Sequence, residues 1–373
     1  MLWLGPSLLL SLFCTFISAE VPTANVLGDK LDDSRLLYPR VRIGDPGDGG
    51  SRDPLEIDGL FELMPSCKDR KNELDDLLKE IRVLHTLLAD AFLIAQNWDY
   101  DTEIGRSIKT NIDRVSQFLA GGGLRGSGGV VPKLFCSEND FQNQDPSAVL
   151  KDKNGKEVVA STDPKTGEIK YVTVEDAFPI VEFGNWFAHW VPALNAYEFA
   201  NRDDLCKEGE TAARVSRKSP PHGTEKTISK LQLGQTGRSA LLCPRAFVAD
   251  PKKTHGFPSL AGAVTNYPTA GSEVPEHALE RLLPISATLY HELYHLTDNG
   301  DTNDMNYHVD PIVEAVRGKR ATDASRLKNA WNPETYAYAA MSLYIHDNAP
   351  AGVEPVIYVA NFPKNVAMLA TNK

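Results

Sequence analysis

After its first nineteen residues the chain has no apolar run long enough to cross a membrane. Residues Met1 to Ala19 are almost entirely apolar and uncharged, and their hydrophobic centre is shorter than a membrane span. We therefore expect residues 1–19 to be a signal peptide that is cleaved after Ala19. The remaining sequence offers no membrane anchor, so we expect the protein to be secreted into the extracellular space.

Cysteine is scarce, and none of the five cysteines stands in the C-x-x-C spacing of a zinc finger. Removal of the signal peptide takes Cys14 away. The four that remain are Cys67, Cys136, Cys206 and Cys243. An even number in an oxidising compartment indicates two disulfides, for which three pairings exist. Proximity along the chain favours Cys67–Cys136 and Cys206–Cys243, and the other pairings stay open.

Basic residues are outnumbered, since 39 Lys and Arg against 50 Asp and Glu give a net charge of −11. This balance argues against nucleic acid and anionic membrane surfaces as partners. The deficit is sharpest between Leu282 and Val316, where six acidic residues stand and Lys and Arg are absent. Acidic surroundings favour substrates with basic side chains, which we state as a hypothesis.

Apolar periodicity changes along the chain. Residues 20–62 are rich in Asp, Gly, Pro and Arg, which is typical of an extended polar leader or pro-segment. Beyond Cys67, apolar residues recur at spacings of three and four, which predicts helices from Leu74 to Phe92 and from Ile104 to Leu119. We also predict a strand at 130–136, a strand that begins at Ser239 and leads into a Cys-Pro turn at 243–244, a hairpin or meander within 149–174 and a short strand within 353–359. Residues 183–190 are expected to form a core helix, and the alternative is that their aromatic side chains line a substrate cleft.

The motif H-E-x-x-H, at His291-Glu-Leu-Tyr-His295, carries most of the chemical information. Positions four apart lie on one face of a helix, so both imidazoles can reach one metal ion. Glu292 then stands beside the open position of the metal, where it can take a proton from bound water. We expect a zinc site with His291 and His295 as ligands and Glu292 as the general base. The alternative is an amphipathic helix whose histidines bind nothing.

A catalytic zinc normally has a third protein ligand. On chemical grounds the segment after the motif offers six candidates: Asp298, Asp301, Asp304, His308, Asp310 and Glu314. Glu314 lies nineteen residues beyond His295, on a predicted new helix, and would suit an arrangement in which a second helix supplies a glutamate. Three of these carboxylates could instead orient the histidines: Asp298, Asp301 and Asp310.

The segment Thr302-x-Asp304-x-x-Tyr307 resembles the G-T-x-D-x-x-Y-G signature of the aspzincins, the deuterolysin-type secreted metalloendopeptidases. This resemblance implies that Asp304 is the third zinc ligand and that Tyr307 stabilises the tetrahedral intermediate. Asp301 and His308 stand where that family has glycine. The resemblance is strongest over residues 285–345, with looser similarity at 241–244 and 332–338.

We therefore expect a zinc-dependent endopeptidase that binds one catalytic Zn²⁺ and hydrolyses proteins or peptides, with no indication of its oligomeric state. The alternative is a secreted zinc-binding or surface-binding protein that keeps the fold with little catalysis. The expected fold class is α+β, a zincin-like metalloprotease fold that is predominantly helical, with a small sheet and the H-E-x-x-H helix at the cleft. The expected division is a signal peptide (1–19), a polar leader (20–62) and a metallopeptidase domain of one lobe or two (63–373).

Overall fold

The structure is a computed structural model. It describes residues 54–94, 102–127, 129–181, 186–207, 212–216, 231–233, 238–250, 252, 255–298, 302–317, 321–358 and 363–365. The expected signal peptide, most of the expected leader and Asp301 lie outside these residues. The chain divides into two compact units. Unit 1 comprises Met1–Leu60, Asn72–Arg125 and Ala246–Lys373, and unit 2 comprises Phe61–Lys71 and Gly126–Arg245.

The secondary structure mixes helices with short strands. The helices are α1 (Ile57–Leu60), α2 (Pro65–Lys68), α3 (Lys71–Ile94), α4 (Glu103–Leu119), α5 (Val174–Ala177), α6 (Leu260–Thr265), α7 (Leu279–Leu282), α8 (Ser286–Asp298), α9 (Val309–Arg317), α10 (Asp323–Ala330) and α11 (Pro333–Asp347). The strands are β1 (Glu62–Leu63), β2 (Lys133–Phe135), β3 (Gln142–Gln144), β4 (Val159–Thr162), β5 (Ile169–Tyr171), β6 (Phe187–Val191), β7 (Ala196–Ala200), β8 (Ala213–Val215), β9 (Ser239–Leu242), β10 (Val356–Tyr358) and β11 (Pro363–Asn365). This mixture agrees with the expected α+β class.

Unit 2 is built on small sheets. One sheet has the order β1-β2-β9-β8, with β8 antiparallel to β9 and the other pairs parallel. A second sheet, β3-β6-β7, is antiparallel, and β4 and β5 form the predicted hairpin. Apolar side chains cluster on both faces of β6, with Trp190 in one buried cluster and Val191 in another. The sheets therefore carry the core of this unit.

The predicted core helix at 183–190 is wrong, because the described part of this segment continues into strand β6. Both faces of β6 are largely buried, so its residues do not alternate between apolar and polar in the way that reveals a strand. Pairing with β3 and β7 decides its conformation.

Both favoured disulfides are confirmed in unit 2. Cys67 of α2 is bonded to Cys136, directly after β2. Cys206 is bonded to Cys243, directly after β9. Each bridge anchors the end of one strand, and the two strands, β2 and β9, are parallel neighbours in the sheet. The presence of disulfides fits an oxidising compartment.

Unit 1 is built around α8, the helix that carries H-E-x-x-H. All of its residues except His295 are buried, and it packs against α4 and α11. The Ser286 hydroxyl at its start donates to the Glu80 carboxylate of α3 at 2.7 Å. The predicted helices α3 and α4 are confirmed, so the apolar spacing correctly indicated the helical layer that supports the motif.

The first described residues of unit 1 belong to its fold. Ile57 and Leu60 of α1 are buried, and the Ile57 amide donates to the Asp75 carboxylate at 2.7 Å. The chain thus enters the packed structure by residue 57. Among the described residues, no helix has both the length and the apolar character required to span a bilayer.

Candidate metal centre

Helix α8 presents the two motif histidines side by side. Their ring centroids lie 5.0 Å apart, and their side chains are only 8% and 13% exposed. The four-residue spacing places both rings on one face, as the sequence predicted. Burial of almost the whole helix fixes the direction in which that face points.

Asp304 meets both histidines. Its Oδ1 atom lies 3.0 Å from Nε2 of His291 and 2.8 Å from Nε2 of His295. One ligand atom from each of the three residues lies within 4.8 Å of the other two, and no other such His, Cys, Asp or Glu group occurs in the described part of the chain. Of the candidate third ligands, the structure places Asp304 with the histidines and leaves Glu314 and His308 outside the cluster.

The outer nitrogen of each histidine is held by a different kind of group. Nδ1 of His291 lies 2.6 Å from the Glu334 carboxylate of α11, and both side chains are buried. Nδ1 of His295 lies 2.8 Å from the Thr302 hydroxyl. With each Nδ1 engaged, both Nε2 atoms are turned towards the same carboxylate oxygen of Asp304.

This arrangement suits a cation. A neutral imidazole carries one proton, so His291 can donate to either Glu334 or Asp304, and its other nitrogen then faces the second carboxylate. A metal ion between Nε2 and Asp304 removes that conflict. Tetrahedral zinc at about 2.0–2.1 Å from its ligands sets them about 3.3 Å apart, within a few tenths of the distances seen here. The residues present therefore fit a metal ion.

The electrostatics of these side chains also favour a cation between them. Burial lowers the pKa of His291, but the hydrogen bonds with Asp304 and Glu334 outweigh it and hold the pKa well above its ordinary value. Burial raises the pKa of Asp304, but the two histidines outweigh it and hold that pKa below its ordinary range. The surroundings thus favour the charged form of His291 beside an ionised Asp304, with both ring nitrogens donating to carboxylates. A metal ion would take the place of the proton on Nε2.

The two predicted catalytic residues stand beside the cluster. Glu292 follows His291 on α8, and its residue is 7% exposed. The Tyr307 ring stacks on the His291 ring with centroids 6.1 Å apart and planes 13° apart, and it is 54% exposed. Burial of its hydroxyl and the nearby Asp304 carboxylate raise the pKa of Tyr307, so its hydroxyl keeps its proton.

The carboxylate that contacts His291 is not among those expected to orient the histidines, which were Asp298, Asp301 and Asp310. Asp298 is buried and accepts a hydrogen bond from the Thr302 amide, so it acts on His295 through Thr302. Asp310 is exposed, and Asp301 lies outside the described residues. Glu334, which the sequence analysis did not single out, holds His291 from 43 positions away. The looser similarity at 332–338 was the signal that marked its segment.

A face of α8 next to the histidines carries a buried polar network. Nδ1 of His85 lies 3.1 Å from the Tyr290 hydroxyl, which lies 2.9 Å from the Tyr294 hydroxyl. The other ring nitrogen of His85 lies 2.7 Å from the Ser116 hydroxyl. Burial lowers the pKa of His85 to about 3, so this ring is neutral where it contacts Tyr290 of the helix.

Comparisons with known proteins reach only part of the chain. No protein-family model matches the sequence. No solved structure matches it. A similar curated protein is the "Non-secreted LysM effector LysM17" of Penicillium expansum, 34% identical over 122 residues. The similarity covers 31% of this chain and 16% of that protein, so the chain spans about a sixth of the length of this relative.

Proposed function

We propose that the protein is a secreted zinc-dependent endopeptidase. The observation that carries this proposal is the meeting of His291, His295 and Asp304 at one point, with Glu292 and Tyr307 beside them. Ligands, base and oxyanion donor are what zinc-dependent peptide hydrolysis requires. The resemblance of Thr302–Tyr307 to the aspzincin signature supports the same activity and a zincin-like fold.

Three residues would hold the metal: His291 and His295 through Nε2, and Asp304 through its carboxylate. When bound, Zn²⁺ lowers the pKa of its water towards neutrality and polarises the peptide carbonyl. Two imidazoles and one carboxylate leave a fourth position for water, as in other catalytic zinc sites. Glu334 and Thr302 keep the imidazoles in the tautomer that leaves Nε2 for the metal.

The chain's own residues would handle the protons and the developing charge. Glu292 accepts the proton of the attacking water and later delivers it to the leaving amine. Tyr307 remains protonated, so its hydroxyl can donate a hydrogen bond to the oxyanion. Its ring is half exposed, which leaves it accessible to a peptide.

The second candidate is a zinc-binding protein with little catalysis. The partial relative is named as an effector, and an effector need not cleave peptides. In this reading the same three ligands bind zinc and Glu292 has no chemical task. The two candidates differ in whether substitution of Glu292 changes any activity.

The test is cleavage of casein and of quenched peptides by the purified protein. The proposal predicts that a chelator abolishes cleavage and added zinc restores it. Glu292→Gln should keep one zinc per chain and lose about three orders of magnitude or more in kcat, because it removes the base. Glu276→Gln, at an exposed acidic position of the same unit, is the matched control and should behave as wild type.

A zinc-loaded wild type that cleaves nothing would favour the second candidate. If Glu276→Gln also lost cleavage, removal of an acidic residue outside the site would be enough to abolish activity. The loss in Glu292→Gln would then not identify Glu292 as the general base. A peptide library carrying Lys and Arg at each position tests the separate hypothesis that the acidic surroundings select basic side chains, which an absence of such preference would exclude.

A further inference from the structure

The residues from 302 to 309, here called the Tyr307 loop, connect α8 to α9 and carry both Asp304 and Tyr307. The loop begins at Thr302, whose amide donates to the buried Asp298 carboxylate. The Thr302 hydroxyl and Asp304 both engage His295. Its first half is therefore fixed to α8 and to the metal ligands.

The middle of the Tyr307 loop is fixed to α11 and the residues just before it. The Asn303 amide donates to the Trp331 carbonyl at 3.0 Å, and the Asn332 side chain donates to the Asn306 carbonyl at 2.9 Å. The buried Tyr338 hydroxyl donates to the Tyr307 carbonyl at 2.8 Å. These contacts hold the backbone on the near side of Tyr307.

A different element holds the far end of the loop. Oε1 of Glu280, on α7, accepts a hydrogen bond from the Val309 amide at 2.8 Å. The same oxygen lies 3.3 Å from Nδ1 of His308. The Glu280 side chain is only 18% exposed, so solvent screens these contacts weakly. Glu280 thus contacts both of the residues that directly follow Tyr307.

We propose that Glu280 is a positioning residue that aims the Tyr307 hydroxyl at the reacting carbonyl. This inference rests on the proposed peptidase function. The Tyr307 ring stacks on His291 but is half exposed, so the position of its hydroxyl also depends on the backbone that carries the ring. That backbone is held by Tyr338 on the carbonyl side and, two residues later, by Glu280. Because oxyanion donors act only at the correct distance, a shift of about 1 Å lowers the rate by up to about 100-fold.

Loss of Glu280 should disturb the position of Tyr307 without disturbing the metal ligands. Asp304 is fixed by both histidines, and the first half of the loop by Asp298 and α11, so loss of Glu280 leaves these contacts intact. We therefore expect Glu280→Ala to keep one zinc per chain and an unchanged KM within about threefold. Its kcat should fall about 10- to 100-fold.

Two matched variants define the role. Glu280→Gln keeps an oxygen that can accept from the Val309 amide, so its kcat should stay within about threefold of wild type. Glu276→Ala removes an exposed acid one turn upstream and should change nothing. Equal damage in Glu280→Gln and Glu280→Ala would overturn the assignment of the hydrogen bond to the Val309 amide.

The sharpest measurement is a double-mutant cycle with Tyr307→Phe. If Glu280 acts through the Tyr307 hydroxyl, Glu280→Ala should lower kcat in the wild-type background and by less than about threefold in Tyr307→Phe. An equal loss of kcat in both backgrounds would overturn the proposal. Loss of zinc from Glu280→Ala would overturn it as well, since Glu280 would then support the metal site itself.

Hydrogen exchange of the metal-loaded protein keeps the test separate from the peptidase proposal. Glu280→Ala should raise the exchange of the Val309 amide, and Glu280→Gln and Glu276→Ala should leave it protected. If the wild type cleaves no peptide, the proposed function fails, and this exchange result still decides whether Glu280 fixes the Tyr307 loop. Unchanged exchange in Glu280→Ala overturns the positioning role whatever the activity.

Discussion

Glu334 is the residue on which the affinity of the metal site should depend most among those that do not bind the metal. Its carboxylate lies 2.6 Å from Nδ1 of His291, and both side chains are buried. A hydrogen bond to a charged group contributes about 1.5–3 kcal/mol, which corresponds to about 10- to 150-fold in an equilibrium constant. Loss of a histidine-orienting carboxylate typically weakens metal binding 10- to 100-fold, in agreement with this range.

We therefore expect Glu334→Gln to weaken zinc binding about tenfold, because it keeps a neutral hydrogen bond and loses the charge. Glu334→Ala should weaken it by up to about 100-fold. Thr302→Val removes a neutral hydrogen bond to His295 and should cost only about 2- to 10-fold. The assay is zinc titration against a chromophoric chelator at constant pH, with circular dichroism to verify folding.

Glu314→Gln is the control, since Glu314 lies outside the cluster. It should bind zinc as wild type does. The reasoning is refuted if Glu334→Gln and Glu334→Ala both bind within about threefold of wild type. It is also refuted if Thr302→Val binds zinc more weakly than the Glu334 variants do. The hydrogen bond between Thr302 and His295 would then matter more for zinc affinity than the contact of Glu334 with His291.

Three further predictions concern the oxyanion donor, a buried acid and a disulfide. Tyr307→Phe should keep one zinc and lower kcat about 10²- to 10³-fold in the peptide assay, because one oxyanion donor is removed. Glu198 is buried in unit 2, and burial, opposed by the Arg214 charge, raises its pKa to about 8. The folded state therefore binds this proton more tightly than the unfolded chain, so stability is full below about pH 4.5 and is lost as the pH rises through 8, by on the order of 3–5 kcal/mol. Denaturant melts of Glu198→Gln should lack this loss. Replacement of Cys67 and Cys136 by Ser opens a loop with a sequence separation of 69 and should reduce the free energy of unfolding by about 4 kcal/mol in denaturant titrations.

Each of these predictions has a clear contrary result. A Tyr307→Phe variant with wild-type kcat would remove the tyrosine from the chemistry. Identical pH dependence between pH 5 and 9 in wild type and Glu198→Gln would show that Glu198 does not titrate in this range. An unchanged denaturation midpoint without the Cys67–Cys136 bridge would show that the bridge adds no stability.

The sequence predicted well where the information was local. Spacings of three and four correctly indicated α3 and α4, because one face of each helix is apolar. The spacing of His291 and His295 was sufficient to place both rings on one face. Chemistry alone left several third ligands open, and the resemblance of Thr302–Tyr307 to the aspzincin signature implied Asp304 among them.

The sequence predicted poorly where distant segments decide the outcome. Glu334 reaches His291 through the packing of α11 on α8, and no spacing along the chain encodes that contact. Strand β6 is largely buried on both faces, so its pattern resembled a core helix. Glu280 likewise binds the Val309 amide from a separate short helix, which only the folded unit brings close.

Titration of the metal-free protein with zinc, followed by peptide cleavage in the same samples, tests the central claim most directly. We expect cleavage to rise linearly with added zinc and to stop rising at one equivalent per chain. We also expect Asp304→Ala to need far more zinc to reach the same rate, because one of three ligands is lost. Zinc that binds at one equivalent without any cleavage, or cleavage that is indifferent to zinc, would contradict the account.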